Sequence, residues 1–144
     1  MEIRRLGHGA ERELEKVSAC FDQPVQAEAA TRFLDSENHC ILVAYEDESV
    51  AGFVSGVETT HPDKGTEMFL YELAVDEKFR RRGVGTKLVA ALAGIARQRG
   101  CYGMWVLTEE DNTVALATYS AAGAQRESTP VMLSWSFAAS PWAG

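Results

Sequence analysis

The sequence predicts an α/β fold in which a mixed central sheet of about six to seven strands is flanked by about four helices. Three observations predict it. Short runs rich in β-branched and aliphatic residues are bounded by polar turns. The segment Val84–Arg99 repeats its apolar residues along one helical stripe. The 144 residues are 46% hydrophobic and 24% charged, which is typical of one globular domain spanning residues 1–144.

Each element has its own local signal. Pro24 separates the first two helices, the polar residues of Glu46–Ser49 form the turn of a hairpin, and Gly100 ends the long helix. Either Asp111 or Asn112 caps the start of the last helix. In chain order we predict strands over Glu2–Leu6, Cys40–Tyr45, Val50–Glu58, Glu67–Val75, Tyr102–Leu107 and Val131–Phe137, and helices over Ala10–Phe21, Gln26–Leu34, Val84–Arg99 and Thr113–Ala122.

Two of these strands carry further expectations. Glu67–Val75 is largely apolar, which is typical of a strand covered on both faces of its sheet. Val131–Phe137 alternates Leu133, Trp135 and Phe137, and such a strand lines either the core or a homodimer interface. We favour the core.

Charge and cysteine usage exclude several classes of protein. The net charge of −7 with no basic stripe argues against a nucleic-acid partner. No apolar run reaches the length of a membrane span, and the first twenty residues lack a signal-peptide core, so a cytoplasmic location is expected. Cys20, Cys40 and Cys101 are too far apart for a metal-binding pair, and the histidines are scattered, so no metal is predicted.

The segment Arg80–Lys87 joins an apolar strand to the start of a helix, where backbone N–H groups are unpaired and the helix dipole is positive. Gly83 and Gly85 allow a phosphate to approach the backbone closely. The P-loop pattern fails for lack of its lysine, and the dinucleotide pattern fails because Leu88 stands at the third glycine. The segment therefore predicts an anion site of another kind; the alternative is a tight turn with solvated arginines.

Two motifs resemble those of the GCN5-related N-acetyltransferases. Leu73–Val75 (LAV) followed by Arg80–Gly85 (RRRGVG) looks like the acetyl-CoA signature of that family, and Asn112–Tyr119 matches its N-x-x-A-x-x-x-Y segment. The resemblance covers roughly residues 40–123. It departs from the family where Ala124, rather than an aromatic residue, follows Gly123.

The resemblance implies that acetyl-CoA is the cofactor, leaving as coenzyme A, and that an amine is the acceptor. Backbone N–H groups from Arg81 to Thr86 would hold the diphosphate, and backbone groups of Leu73 and Val75 would pair with the pantetheine arm as they would with a strand. The implied cofactor-binding residues are Leu73, Ala74, Val75, Arg80, Arg81, Arg82, Gly83, Val84, Gly85, Thr86, Asn112 and Ala115.

Two residues are candidates for catalysis. By resemblance, Tyr119 donates a proton to the departing thiolate; packing on its own helix is the alternative. Glu72 is the one charge on an apolar stretch of strand, and burial would raise its pKa towards values useful for a base. It would take the amine proton directly or through a water, or only anchor a cationic acceptor; a salt bridge is the structural alternative.

The acidic loop Glu109-Glu110-Asp111 lies beside the expected transfer point and is either a solvated turn or a cation-binding wall. With Glu72 it would suit a polycationic amine. The joined motifs look most similar to the aminoglycoside 3-N-acetyltransferases, which implies an aminoglycoside acceptor, acetylation at the 3-amino group and antibiotic resistance. Two alternatives remain open: an acetyltransferase of protein N-termini, lysines or other small amines, and a non-enzymatic acyl-CoA sensor, which would need neither Tyr119 nor Glu72.

Overall fold

The computed structural model of the protein describes residues 1–128 and 130–137. Its elements follow the predicted order as far as the last helix, with short 3-10 turns at Ser18–Cys20 and Glu77–Phe79. The strands are β1 (Glu2–Leu6), β2 (His39–Glu46), β3 (Ser49–His61), β4 (Gly65–Val75) and β5 (Met104–Trp105), and the helices are α1 (Glu11–Val17), α2 (Ala27–Asp35), α3 (Val84–Gln98) and α4 (Thr113–Ala121).

The five strands form one mixed sheet in the order β1-β2-β3-β4-β5. The first four are antiparallel to their neighbours, and β5 is parallel to β4, with α3 as the crossover. The predicted α/β fold with a mixed sheet and four helices is thereby confirmed. The pairing between β4 and β5 covers only Met68 with Met104 and Phe69 with Trp105, so within the described ranges the rest of this β4 edge pairs with no strand.

Apolar side chains on the two faces of the sheet form two separate cores. Helix α3 covers one face, where Leu88 and Leu92 pack with Val54, Met68 and Leu70, all of them almost fully buried. The buried residues of α3 recur about every three or four positions, so they form one apolar stripe along the helix. This stripe is the side of α3 that packs on the sheet.

Helices α1 and α2 cover the other face over β2 and β3. Their buried residues Leu14, Val17 and Leu34 pack on Val43 and Phe53. The connection between α1 and α2 is held on the same core by Phe21, whose ring meets Phe53 edge-on at a centroid distance of 4.8 Å. This contact fixes the residues that follow Phe21 above the middle of the sheet.

The second face of β4 is open at Tyr71 and Glu72, which corrects the expectation that Glu67–Val75 is covered on both sides. There Phe69 stacks on Trp105 at 4.2 Å and on Tyr71 at 5.6 Å between ring centroids. Tyr71 is 58% exposed and Trp105 is 42% exposed. The strand is apolar because one face is buried and the other carries an aromatic row, not because both faces are buried.

A β-bulge in β4 sets the direction of the residues after this row. Gly56 of β3 pairs with Leu70 and Ser55 pairs with Glu72, which leaves Tyr71 without a partner. Beyond the bulge, Leu73 packs on the α3 core and Ala74 on the α1–α2 core. Since side chains alternate along a strand, Glu72 shares the face of Ala74. Two consecutive side chains, Tyr71 and Glu72, therefore point to the same open face.

The predicted strands and helices differ most from the structure after residue 100. Val131–Phe137 forms no strand, and its large apolar side chains are exposed, so the preference for a core strand is wrong. The strand predicted over Tyr102–Leu107 shortens to Met104–Trp105 because β4 pairs with it over two residues only. The helix predicted over Ala10–Phe21 ends at Val17 and continues as a 3-10 turn. The other predicted helices and strands hold within a few residues.

Close packing of β3 on β4 should make Gly52 intolerant of any side chain. A Cβ atom there would lie 2.6 Å from the carbonyl oxygen of Ala74 and 3.1 Å from Cα of Val75. Because both atoms belong to backbone, we expect Gly52→Ala to lower the free energy of unfolding by about 2–4 kcal/mol in urea titrations. A Cβ at Gly94 on α3 meets nothing within 4 Å, so Gly94→Ala should raise it by about 0.5–1 kcal/mol. Equal stabilities would contradict this packing.

Candidate active site

The turn before α3 offers a concave row of backbone N–H groups. Arg81 and Gly83 both adopt left-handed backbone conformations, with φ of 64° and 76°. Alternation of left-handed and ordinary conformations turns successive N–H groups inward, which makes an anion-binding nest. No side chain caps α3, and its first amide bonded back to Gly83 is that of Lys87, at 3.0 Å. The N–H groups of residues 84–86 therefore lack intrahelical partners and are free to bind an anion.

The two glycines of the turn have different roles. Gly83 has open space around its Cα but a positive φ, so it serves the backbone conformation. Gly85 has an ordinary φ, but a Cβ there would lie 3.1 Å from Cγ2 of Thr118 and 3.6 Å from Cγ2 of Val75. Its missing side chain lets the start of α3, helix α4 and the end of β4 approach one another.

Two of the three arginines are held against the turn itself. Arg80 donates from Nε to the carbonyl oxygen of Val75 at 3.3 Å, and the guanidinium of Arg82 lies over the ring of Phe79 at 5.5 Å. These contacts keep positive charge next to the unpaired N–H groups. The turn is thus suited by both hydrogen bonding and charge to a phosphate or diphosphate.

The open edge of β4 leads from this turn into the sheet. The side chains of Leu73 and Val75 pack on the α3 core, while on the β5 side their backbone groups pair with no strand in the described part of the chain. An unpaired edge binds extended ligands through main-chain hydrogen bonds. The geometry therefore provides an extended slot that ends at an anion-binding turn.

Asn112 and Ala115 are joined by the hydrogen bond that caps the start of α4. The Oδ1 atom of Asn112 accepts a hydrogen bond from the backbone N–H of Ala115 at 3.1 Å, so Asn112 is the residue that caps α4. The cap fixes the start of the helix that carries Tyr119. The contact between Asn112 and Ala115 is therefore a structural one within α4.

Tyr119 lies two turns into α4 and packs on the α3 core while it remains partly exposed. Burial raises the pKa of its phenol above the ordinary value. The hydroxyl group therefore stays protonated at neutral pH. Its neighbour Thr118 makes the contact with the position of Gly85, so Tyr119 stands next to the start of α3.

Glu72 lies on β4 beyond the bulge, one residue before Leu73. It is more exposed than expected for a buried strand, because the face it points to is uncovered. Partial desolvation raises the pKa of its carboxyl group, and the nearby charge of Asp22 raises it further. The two carboxylates therefore repel each other.

Asp22 is a charged neighbour of Glu72 that could not be predicted from the sequence. It belongs to the connection between α1 and α2, directly after Phe21, whose packing on Phe53 brings the connection over the sheet. The available signal was an acidic residue between an aromatic anchor and Pro24 in a connection with no helical pattern. That pattern gives no direction in space, which only the fold supplies.

The acidic loop lies directly before α4 and is open to solvent. Glu109, Glu110 and Asp111 are all exposed, and Glu110 accepts a hydrogen bond from Arg126 at 2.9 Å. Among the described residues, Asp22 rather than this loop supplies the negative charge that acts on Glu72. The loop contributes charge near the start of α4, and part of that charge is neutralised by Arg126.

Within residues 1–128 and 130–137, no three His, Cys, Asp or Glu side chains are grouped so that they could hold a metal ion. None of the helices in this part of the chain combines the length and the apolar character needed to cross a membrane. The three cysteines are free thiols, and burial raises the pKa of Cys40.

An open strand edge that ends at an uncapped, arginine-flanked helix start defines a domain for an extended ligand with phosphate groups. Comparison with known families gives this domain its place. The model of the family described as "Acetyltransferase (GNAT) family" matches residues 10–124. The chain belongs to the GNAT acetyltransferase family.

Individual relatives match a shorter part of the chain than the family model does. The "Probable N-acetyltransferase camello" of Xenopus laevis is 33% identical over 91 residues, which are 63% of this chain and 41% of the relative. The chain spans less than half the length of each curated relative that it matches at this level.

Solved structures confirm the fold. An aminoglycoside acetyltransferase from an uncultured soil metagenomic sample, meta-AAC0020 in complex with sisomicin, superposes with a TM-score of 0.87 at 19% identity, over 94% of this chain and 95% of that one. AAC(6′)-Iy in complex with the bisubstrate analogue CoA-S-monomethyl-acetylneamine superposes with a TM-score of 0.81 at 19% identity, over 94% and 98%. At these identities the likeness establishes the fold alone.

Proposed function

We propose that the protein is an acetyl-CoA-dependent N-acetyltransferase that acts on an amine of a polycationic small molecule, specifically an aminoglycoside. The observation that carries the proposal is the meeting of three elements at Gly85. The start of α3, the end of β4 and helix α4 lie within contact distance there. The anion-binding turn, the open edge and Tyr119 therefore belong to one site, and Glu72 borders it.

The residues of this site suit coenzyme A. The unpaired N–H groups between Arg81 and Thr86 would hold its diphosphate, with charge supplied by Arg80 and Arg82. The edge of Leu73–Val75 would align the pantetheine arm. The bound acetyl thioester supplies an activated acyl group, and the remaining chemistry is proton transfer by side chains of this chain.

Glu72 and Tyr119 each carry out one of the two proton transfers, the first from the amine and the second to the leaving thiol. An amine acceptor arrives as an ammonium ion, and Glu72 Oε accepts a proton from it directly or through a water. Its raised pKa brings it closer to the operating pH, which favours a base. Tyr119 Oη holds a proton at neutral pH and donates it where the thiol leaves. Neither role is needed by a sensor that only binds acyl-CoA.

Charge and shape support a polycationic acceptor. Asp22 and Glu72 form a negative pair on the open face, and the loop at Glu109 and Asp111 adds further carboxylates near α4. The net charge of −7 would steer a polycation towards the protein. Next to Glu72 the exposed ring of Tyr71 continues the aromatic row, which offers an apolar surface to the ring faces of an aminosugar.

Two amines of an aminoglycoside are candidates for acetylation. The sequence resemblance favours the 3-amino group, whereas a structural neighbour, AAC(6′)-Iy, is named for the 6′ position. Acetylation at either amine removes a positive charge from the antibiotic, which is the basis of the proposed resistance role. An open groove would equally admit a peptide amine, and the uncovered face beside Tyr71 makes such acceptors the second candidate.

A panel of acceptors tests the proposed activity. We expect release of free thiol from acetyl-CoA with gentamicin, kanamycin or apramycin, with kcat/KM at least about 100-fold above that for spermidine or short peptides, because a fixed set of carboxylates discriminates between cations. Nuclear magnetic resonance of the product identifies the acetylated amine. Turnover of peptides alone would contradict the aminoglycoside acceptor, and no turnover of any amine would contradict the enzyme.

Loss of the Tyr119 hydroxyl should affect turnover but not cofactor binding. We expect Tyr119→Phe to lower kcat by at least about tenfold, since proton donation in the transition state contributes this much or more. The dissociation constant of coenzyme A, measured by calorimetry, should change by less than about twofold. Tyr102→Phe is the matched control, because that hydroxyl is exposed and bonded to Glu67 at 2.7 Å, away from the site. Wild-type kcat in Tyr119→Phe would remove the assignment.

Removal of the Asp22 charge should change the pH profile in a defined direction. Asp22 raises the pKa of Glu72, so in Asp22→Asn that pKa falls and Glu72 stays ionised to lower pH. The acidic limb of kcat/KM should therefore move to lower pH. Asp47→Asn removes the same charge from the β2–β3 turn and should leave the limb in place. A limb that does not move in Asp22→Asn would contradict the action of Asp22 on a catalytic Glu72.

A further inference from the structure

Ser55 on β3 is a buried residue with a polar side chain, and it is 6% exposed. Within residues 1–128 and 130–137, its hydroxyl takes part in no side-chain hydrogen bond. No fully enclosed side-chain oxygen in those ranges lacks a partner, so the hydroxyl oxygen of Ser55 reaches solvent. A hydroxyl in this position is free to bind a small ligand.

The direction of the Ser55 side chain follows from its neighbours on β3. A Cβ atom at Gly56 would lie 2.8 Å from Sδ of Met68 and 3.1 Å from Cδ2 of Leu92, so Gly56 faces helix α3. Phe53 belongs instead to the core under α1 and α2. Because side chains alternate along a strand, Ser55 shares the face of Phe53. This is the face to which the carboxylate of β4 points.

Ser55 is also the cross-strand partner of Glu72. Side chains at directly opposite positions of an antiparallel pair have Cβ atoms about 4.5–5.5 Å apart. The serine side chain is short and buried, whereas the glutamate side chain is longer and exposed. The hydroxyl therefore lies deeper in the site than the carboxylate beside it. Two polar groups arranged in this way on one face suit a single bridging water.

We propose that Ser55 is a positioning residue whose hydroxyl holds a water against the carboxylate of Glu72, and that this water relays the proton of the acceptor amine. The hydroxyl donates a hydrogen bond to the water oxygen, and the water donates one to Oε of Glu72. Hydrogen bonds in such a chain strengthen one another. This role rests on the proposed function of Glu72 as the base, and it selects transfer through a water over direct transfer.

The relay balances in atoms and in charge. The ammonium group of the acceptor donates to the remaining lone pair of the water. One N–H bond of the ammonium breaks as an O–H bond forms on the water, and the water passes one of its own protons to Glu72. The amine becomes neutral, the carboxylate becomes a carboxylic acid, and Ser55 keeps its proton. Because two protein groups fix the water, its lone pair has a set direction towards the amine.

Ser55 and Asp22 should act on Glu72 in opposite directions. Burial raises the pKa of Glu72, and the charge of Asp22 raises it further. A hydrogen bond donated to a carboxylate favours its ionised form, so the bridging water lowers that pKa. Loss of the serine hydroxyl and loss of the aspartate charge should therefore move the titration of Glu72 in opposite senses.

Nuclear magnetic resonance of the free protein tests the bridge without any acceptor. In protein with isotope-labelled glutamate carboxyl groups, Ser55→Ala should raise the pKa of Glu72 by about 0.5–1, because the ionised form loses a hydrogen bond. Glu72→Gln assigns the signal. Ser49→Ala, at the exposed start of β3, is the matched control and should leave this pKa unchanged. An unchanged or lowered pKa in Ser55→Ala would overturn the proposal.

Kinetics test the relay itself. With any amine that the wild type acetylates, Ser55→Ala should lower kcat/KM about tenfold at a pH where Glu72 is ionised, since the water is no longer held in line. The acidic limb should move to higher pH, opposite to that of Asp22→Asn. Affinity for coenzyme A and the midpoint of urea unfolding should not fall, because no bond of the hydroxyl within the described chain is lost. A fall in both would show a structural role instead.

Failure of the relay differs from failure of the proposed function. Wild-type kcat/KM or an unmoved acidic limb in Ser55→Ala would overturn the relay and leave Glu72 as a base that acts directly. A wild type that acetylates no amine would overturn the proposed function and the relay with it, even where the titration of Glu72 responds to Ser55→Ala.

Discussion

The position of every group in the site depends on the unequal pairing of β4. On one side, β4 is bonded to β3 along nearly its whole length; on the other side, it is bonded to β5 over two residue pairs. The long ladder holds the strand rigid, and the short one leaves its second edge free beyond Phe69. A strand that is fixed but half unpaired can present backbone groups to a ligand without losing its own geometry. The turn at Gly83, the cap at Asn112 and the carboxylate at Glu72 are all placed relative to this edge.

Features determined by neighbouring residues could be predicted from the sequence. The anion-binding turn depends on Gly83 and the residues beside it, and the start of α4 depends on Asn112 three residues before Ala115. The order of strands and helices follows from local periodicity, and it holds through α4. The family resemblance identified the same residues because its motifs record these local constraints.

Features determined by pairing across the sheet could not be predicted in this way. The bulge at Tyr71 depends on the register with β3, and the approach of Asp22 to Glu72 depends on Phe21 packing on Phe53. The segment 131–137 has the alternation of a strand, but a strand also needs an edge to pair with, and this segment pairs with none of the described strands. The hydrogen bond from Arg126 to Glu110 likewise joins residues 16 positions apart in the chain, which no local pattern records.

The bulge has a consequence for how the acceptor preference of such a protein can diverge. A regular strand exposes every second residue, so two exposed positions are always separated by a packed residue that must be preserved. Here Tyr71 and Glu72 are adjacent and both exposed, while Leu70 and Leu73 on either side belong to the core. Both residues can therefore be substituted together. Other side chains can replace the ring of Tyr71 and the charge of Glu72 with little loss of stability. The irregularity is a site of evolutionary freedom inside an otherwise constrained sheet.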